Sequence, residues 1–164
     1  MVTREEGNAV FIALLRVQKL LLAARQTAPR AHPGVDVAAY PVLFVIAGNG
    51  TARVSDIAAT LHNDVSTVSR QVSTFVTHGL VAKDVDPSDG RAHVVSLTDA
   101  GRDALQQIQD TRATWFQGLL EGWDSAETAE FVRHLRALGD ALDCNLRAHG
   151  ATPPHLPFDQ TRKD

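Results

Sequence analysis

The sequence predicts a mostly helical protein with a small β-ribbon, an α+β fold class. Apolar residues near both ends of the chain recur at spacings of three and four, the period of a helix with a buried face. In the middle, residues 80–85 alternate well enough for a short strand, and residues 93–98 form a second, rich in Val and Leu. Turn residues at 87–90 (PSDG) separate the two strands.

Two helices are predicted in the first fifty residues. The first, from about 5 to 27, has an apolar band wider than one globular face needs, formed by Val10, Phe11, Leu14, Leu15, Val17, Leu21, Leu22 and Ala24. The segment 29–34 (PRAHPG) breaks the chain. A nearly all-apolar helix over 37–47 follows, interrupted near its start by Pro41 and closed by Gly48-Asn49-Gly50.

A pair of helices precedes the ribbon. Ser55 is the expected N-cap of the first, which runs through Leu61, and Asp64 is the expected cap of the second. His78-Gly79 ends the second helix. Its predicted buried face is Val65, Val68, Val72, Phe75 and Val76, and its polar face is Ser66, Thr67, Ser69, Arg70, Gln71 and Thr74.

A helix followed by a two-stranded ribbon with a cationic tip predicts a winged helix-turn-helix. Short polar side chains allow the helix to enter a DNA major groove, where Arg70 and Gln71 can reach base edges. Arg91, at the ribbon tip or just past it, can reach a neighbouring minor groove, and Asp89 can pair with it. The alternative is an ordinary helix and hairpin with a solvated turn.

Two long helices complete the predicted fold. Thr98 is the expected cap of a helix over 99–122, and Asp124-Ser125 begins the last helix, where Phe131, Leu135, Leu138, Leu142 and Leu146 repeat like a coiled-coil seam. This apolar surface exceeds what the small ribbon region can cover, which implies a partner. We therefore divide the chain into an N-terminal dimerisation helix (1–34), the winged helix-turn-helix (35–98), C-terminal dimerisation helices (99–148) and a Pro-rich tail (149–164), loose or lying on the partner.

Composition and charge limit the classes of function. The length of 164 residues suits one domain, and no run of apolar residues approaches the ~18 of a membrane span. A single Cys and no visible secretory signal predict a cytoplasmic protein. The net charge is −3, and residues 51–102 carry five basic and six acidic groups. DNA binding would therefore need its cations on one face, with Asp56, Asp84 and Asp86 turned away or capping helices.

Several motifs together resemble the MarR family (multiple antibiotic resistance regulators) of prokaryotic transcription factors. They lie in the family's order and spacing: Ile57-Ala58, Leu61, Val68-Ser69-Arg70, Gly79-Leu80-Val81, Asp89-Gly90-Arg91-Ala92, Val95-Ser96-Leu97-Thr98 and Ala100-Gly101. With its helical flanks, the resemblance covers roughly residues 8–148. The chain departs from the family at Gly90, usually Arg; at Thr74 and Thr77, where a further basic residue is frequent; and at Lys83, usually Arg.

The resemblance implies a homodimeric repressor that binds a pseudo-palindrome in double-stranded DNA and is released by a small aromatic or lipophilic ligand. The implied DNA-binding residues are Ser66, Thr67, Ser69, Arg70, Gln71, Thr74, Lys83, Asp89 and Arg91. The implied dimer interface contains Phe11, Leu14, Phe131, Leu135, Leu138 and Leu142. By position, Arg16, Tyr40, Phe44 and Trp115 can line a ligand cleft. In the plainer interpretation, Phe44 and Trp115 belong to the core and Arg16 is a solvated charge.

Other chemistry finds little support in the sequence. No pair of the seven His residues stands at i,i+4 beside a carboxylate or Cys, and no catalytic or nucleotide-binding motif occurs, so we expect no metal, no cofactor and no enzymatic activity. Cys144 is expected to be a small buried side chain, with an oxidant sensor as the alternative. A second alternative is a winged-helix module that binds protein and lacks specific DNA binding, which the acidic net charge would suit.

Overall fold

The structure is a computed structural model that describes residues 1–24, 32–33 and 35–153. Its helices are α1 (Arg4–Ala24), α2 (Tyr40–Asn49, preceded by a 3₁₀ turn, Val37–Ala39), α3 (Val54–Leu61), α4 (Val65–Thr77), α5 (Asp99–Leu119) and α6 (Ser125–Ala148). Its strands are β1 (Thr51–Ala52), β2 (Val81–Asp86) and β3 (Asp89–Leu97). This architecture confirms the predicted fold class. The predicted tail beyond residue 153 and residues 25–27 of the first predicted helix lie outside the described residues.

The core is built around α2. Val42, Leu43, Val45 and Ile46 are almost completely inaccessible to solvent, and the core continues into α3, α4, the sheet and the first half of α5. Pro41 does not break α2, because it occupies the first turn, where the missing amide proton has no helical acceptor to lose. A helix that is apolar on every side is what a central position requires.

Side chains cap three of the helices. Thr3 and Glu6 form a reciprocal capping box on α1, and Asp124 and Glu127 form one on α6. The Thr98 hydroxyl accepts from the amide of Gly101 at 3.0 Å, which confirms the predicted cap of α5. The prediction for Ser55 is wrong, because α3 begins two residues earlier than that cap implies, at Val54 with Arg53 at the N-cap position.

Asp64 occupies the predicted N-cap position of α4 but makes no side-chain cap hydrogen bond. The turn before it is formed by His62, whose backbone adopts the left-handed conformation (φ 51°) and closes α3. Gly79 also has positive φ (70°), which lets it follow the end of α4 without strain. The two predicted breaks on either side of α4 are thus confirmed.

The three strands form an antiparallel sheet in the order β1-β3-β2. β1 pairs Thr51 with Ser96 and Ala52 with Val95; the sequence analysis did not predict this strand, because two residues show no alternation. β3 begins at Asp89, four residues before its predicted start, and the turn is reduced to residues 87–88. A register shift between Val85 and Asp86 allows this tight closure.

The start of the ribbon is fixed to the start of α5. The Thr98 hydroxyl donates to the carbonyl of Gly79 at 2.7 Å, and the Thr98 amide donates to the carbonyl of Leu80 at 3.1 Å. A Cβ atom added to Gly101 would lie 2.0 Å from the Leu80 carbonyl oxygen. Only glycine permits this approach, which explains the glycine of the Ala100-Gly101 motif.

The long terminal helices have little cover within one chain. α1 and α6 contain no buried residue, although both carry many large apolar side chains. By length and composition α1 meets the criteria for a membrane span. Arg16 and Lys19 interrupt its apolar sequence, and a charge at the centre of a span costs about 2.5–3.5 kcal/mol. Another helix therefore suits this surface better than lipid.

Candidate nucleic-acid interface

α4 has one face in the core and one in solvent. Val68, Val72 and Phe75 are buried, as predicted. Val65 and Val76, predicted on the same face, are 54% and 41% exposed. Val65 is the first residue of the helix, where no further turn covers it, and Val76 lies at the edge of the buried stripe. The buried face is therefore narrower than the sequence pattern indicated.

The exposed face of α4 is short and polar. The exposed residues are Ser66, Ser69, Arg70, Ser73, Thr74 and Thr77, while Thr67 is half-buried. The hydroxyls of Ser73, Thr74 and Thr77 donate to the carbonyls of the residues four positions earlier. Within the described chain, the Ser66 and Ser69 hydroxyls have no such bond, so they are free to meet another molecule. Ser73 was missed in the sequence analysis, although it lies at i+4 from Ser69 on the same stripe.

Gln71 is less available than the sequence suggested. The residue is half-buried, and its Oε1 atom is buried without a hydrogen-bond partner among the described residues. Buried polar atoms nearly always have a partner, so this amide is held inward at a cost. Contact between Gln71 and a base edge would require a rotamer change. Arg70, which is exposed, needs none.

The ribbon presents two more cations. Lys83 on β2 and Arg91 on β3 are exposed, and Arg91 lies two residues into the strand. Asp89 accepts the backbone amide of Arg91 at 3.1 Å, so the expected pairing with the Arg91 side chain is replaced by a backbone bond that shapes the turn. The Arg91 guanidinium is thereby left free to point outward.

Ion pairing distinguishes the cations of α4 and the ribbon from several other arginines of the described chain. Arg53, Arg102, Arg133 and Arg147 each pair with a carboxylate. Arg70, Lys83 and Arg91 form no ion pair in the part of the chain that the structure describes. A cation without an internal partner can neutralise a DNA phosphate without first breaking a bond. The helix and the ribbon together therefore present an unpaired cationic surface.

The acidic residues of this region are partly neutralised. Asp86 is buried and pairs with Arg53, and Asp56 lies in the first turn of α3, where an acidic side chain is favourable. Hydrogen bonds from the Ser88 hydroxyl and amide, and then from Arg53, lower the pKa of Asp86 to about 2. Asp84 remains exposed on β2.

The predicted ligand-cleft residues are distributed over three helices. Tyr40 and Phe44 on α2 are buried, and Trp115 on α5 is half-buried and meets Phe116 edge-on at 5.0 Å. Arg16 on α1 is exposed, with no hydrogen bond or ion pair to other described residues.

The sequence analysis missed Arg112. Its guanidinium lies 5.0 Å from the centre of the Phe44 ring, a cation–π contact between α5 and α2. The spacing of three residues to Trp115 was the signal that could have found it. A separate open groove of about 250 Å³, between the end of α2 and α5, contains none of the four predicted residues.

Cys144 differs from its expected environment. The side chain is exposed on α6 rather than buried. The seam residues, Leu135, Leu138 and Leu142, recur on one side of the helix, and nine residues beyond Leu135 the helix has turned by about 180°. Cys144 therefore faces away from the seam.

The model of the MarR family matches residues 34–92, the segment that contains α2 to α4 and the tip of the ribbon. Over these residues the chain is similar to MarR-family transcription regulators. This confirms the resemblance drawn from the motifs of α3, α4 and the ribbon. In the winged-helix fold of these proteins, the ribbon β2–β3 corresponds to the wing and α4 to the second helix of the helix-turn-helix.

Similar proteins agree with this assignment. An uncharacterised helix-turn-helix transcriptional regulator of Bacillus subtilis, YxaD, is 31% identical over 93 residues, covering 57% of this chain and 65% of that protein. The transcriptional repressor IacR of Pseudomonas putida is 27% identical over 109 residues, 66% of this chain and 65% of IacR. The chain thus spans just under two thirds of the length of these two relatives. A MarR-family structure from Bacillus stearothermophilus superimposes with a TM-score of 0.72 at 20% identity, covering 86% of this chain and 99% of that one.

Proposed function

We propose that this protein is a homodimeric, cytoplasmic transcriptional repressor of the MarR family, without enzymatic activity, that binds a pseudo-palindromic DNA site. The observation that carries the proposal is the set of exposed cations on α4 and the wing that form no ion pair with other described residues. Beside them lie serine hydroxyls with no hydrogen bond among the described residues. In this arrangement α4 enters the major groove and the wing lies at the adjacent minor groove. The relative IacR, whose name describes a transcriptional repressor, supports the direction of regulation.

Dimerisation supplies a second copy of α4, which contacts the second half of the DNA site. α1 and α6 carry exposed apolar side chains that one chain leaves uncovered. A two-fold interface that buries them places two copies of α4 about 34 Å apart, one turn of DNA. Because a dimer has two copies of α4 and of the wing, it doubles the number of cations that can contact DNA, which are few in each subunit.

A small aromatic or lipophilic acid is the proposed releasing ligand. Tyr40, Phe44 and Trp115 supply aromatic surface, and Arg112 supplies a cation beside it. Ligand sites of this type are mostly apolar with a few polar groups that fix orientation. A carboxylate that binds Arg112 would compete with its contact to Phe44 and so would act on the packing of α5 against α2.

A gel shift with the DNA upstream of the protein's own gene tests the proposal. The labelled duplex is titrated at two salt concentrations and competed with a scrambled duplex of equal composition. We expect a retarded complex that the scrambled duplex displaces poorly and that weakens with salt. No complex at low salt would contradict DNA binding and favour the alternative, a winged-helix module that binds protein, which the net charge of −3 suits.

A further inference from the structure

An ion pair connects the two outer strands of the small sheet. The Nε and Nη2 atoms of Arg53 lie 2.7 and 2.6 Å from Oδ2 of Asp86. Arg53 directly follows β1, and Asp86 is the last residue of β2. Because β3 lies between these strands, the pair spans the width of the sheet.

Asp86 divides its two oxygens between different partners. Oδ1 accepts from the amide and the hydroxyl of Ser88, at 2.8 and 2.6 Å, and so shapes the turn at the wing tip. Oδ2 receives both Arg53 donors. Among the residues that the structure describes, Asp86 is the only polar or charged one that is buried, and a buried carboxylate is stable only when it is paired.

Arg53 also stands at the start of the recognition unit. It occupies the N-cap position of α3 without a side-chain cap bond, and α3 leads through a tight turn into α4. The ion pair therefore connects the base of the helix-turn-helix to the tip end of the wing. The wing has no other salt bridge to the helices in the described chain.

We propose that Arg53 is a positioning residue for the wing: by holding Asp86 it fixes the direction in which β2 and β3 present Arg91 to DNA. Arg53 itself does not contact DNA, since both of the donors that the structure pairs are directed at Asp86. The inference rests on the proposed DNA-binding function and adds a residue to it. It assigns Arg53 to the geometry of the complex and Arg91 to its contacts.

The competing explanation is a direct phosphate contact by Arg53, whose side chain is 38% exposed. Asp86→Asn separates the two explanations by the sign of its effect. If Arg53 positions the wing, losing the carboxylate charge loosens the wing and weakens DNA binding, as Arg53→Ala does. If Arg53 binds phosphate, the same change frees its guanidinium and removes a nearby negative charge, so binding tightens or stays constant.

The experiment measures dissociation constants of full-length variants on one duplex at fixed salt. We expect Arg53→Ala and Asp86→Asn each to weaken binding several-fold, and Arg53→Lys to weaken it less. We expect the double variant Arg53→Ala/Arg91→Ala to bind hardly more weakly than Arg91→Ala, because a misdirected wing has already lost that contact. The proposal would be overturned if the double variant loses affinity by the product of the two single-variant factors. It would also be overturned if Asp86→Asn binds DNA as tightly as the wild type or more tightly.

A measurement without DNA keeps this test apart from the proposed function. Amide hydrogen exchange of residues 86–92 should be faster in Arg53→Ala than in the wild type, while exchange in the core of α2 stays slow and shows that the variant is folded. If the wild type binds no DNA, the proposed function fails and exchange alone decides whether Arg53 holds the wing. Unchanged exchange in the wing would overturn the positioning role in either case.

Discussion

Arg70 and Arg91 are both exposed cations, but their surroundings assign them different tasks. Arg70 lies beside Ser66 and Ser69 on a helix face, whereas Arg91 lies on a ribbon next to a tight turn. An Arg that contacts guanine in both acceptor positions gives about 1–3 kcal/mol of discrimination between bases. An Arg that contacts phosphates contributes to every sequence alike, and an Arg at the minor groove discriminates only through the width of the groove and not through base identity. The two residues should therefore affect specificity differently.

We predict that Arg91→Ala lowers affinity for cognate and scrambled duplexes by similar factors. Arg70→Ala should mainly lower the ratio of the affinity for the cognate duplex to the affinity for the scrambled duplex. Both are measured at two salt concentrations. Arg136→Ala, which removes an exposed cation from α6, is the matched control and should change neither affinity. If Arg70→Ala leaves this ratio of affinities unchanged, residues next to Arg70 on α4 contact the bases instead, and Ser66 and Ser69 are the first candidates.

Asp86 makes the stability of the wing sensitive to acid. Its pKa is lowered to about 2, first by hydrogen bonds from Ser88 and then by Arg53. A carboxylate whose pKa is lower in the folded state stabilises that state above its ordinary pKa of about 3.9, and the contribution disappears as pH falls through the folded value. We predict that the wild type loses stability between about pH 4 and pH 2 more steeply than Asp86→Asn. Urea unfolding at several pH values measures this difference. If the free energy of unfolding falls with pH equally in both proteins, the prediction is wrong.

At the scale of elements, the junction of the wing with α5 depends on Gly101. A Cβ atom there would meet the Leu80 carbonyl oxygen at 2.0 Å, so either the ribbon or the helix must move. We predict that Gly101→Ala lowers the free energy of unfolding by about 1–3 kcal/mol, the usual cost of overpacking. The control is Gly118→Ala in the same helix, where nothing lies within 4 Å.

Gly118→Ala should be neutral or stabilising by about 0.5–1 kcal/mol, since alanine restricts the unfolded chain and favours the helix. Denaturant unfolding of both variants checks the pair of predictions. Equal effects at the two positions would show that the close approach at Leu80 does not constrain the fold. DNA binding by Gly101→Ala should fall as well, because the same contact fixes the start of the wing.

The sequence predicted the elements whose signal is local. The period of α4, the glycine after it and the Thr98 cap are all read from neighbouring residues, and each is found in the structure. β1 was not predicted, because two residues carry no alternation and the strand exists only through its pairing with β3. The early start of β3 depends in the same way on a register shift.

Side-chain contacts between distant residues were also beyond the sequence. Arg53 and Asp86 are 33 positions apart, and without β1 nothing in the sequence indicates that they meet. Gln71 has the residue type of a base reader, yet packing turns its oxygen inward. In the candidate ligand cleft, Arg112 becomes visible only when α5 lies against α2. These features follow from tertiary packing, which overrides what a residue type alone suggests.

At the scale of the whole molecule, the terminal helices pose an energetic problem that a second copy solves. Phe11, Leu20 and Leu22 on α1, and Phe131 and Leu142 on α6, are 44–64% exposed in the single chain. Exposed apolar surface of this extent marks an interaction site, and obligate dimer interfaces are large and apolar. The winged helix-turn-helix has its own core around α2, so folding of that region and association are separable.

The prediction for the dimer uses Leu142, which is 56% exposed and so contributes little to the fold of one chain. We predict that Leu142→Asp yields a monomer, because association would bury an unpaired carboxylate. Ala137→Asp places the same charge on the other side of α6, away from the seam, and should remain a dimer. Sedimentation velocity at micromolar concentration gives both masses. The monomeric variant should also lose specific DNA binding far beyond its loss of non-specific binding, because one α4 reads only half of a pseudo-palindrome. A stable wild-type monomer, or a dimeric Leu142→Asp that binds DNA normally, would contradict this arrangement and leave the apolar face of α6 for another partner.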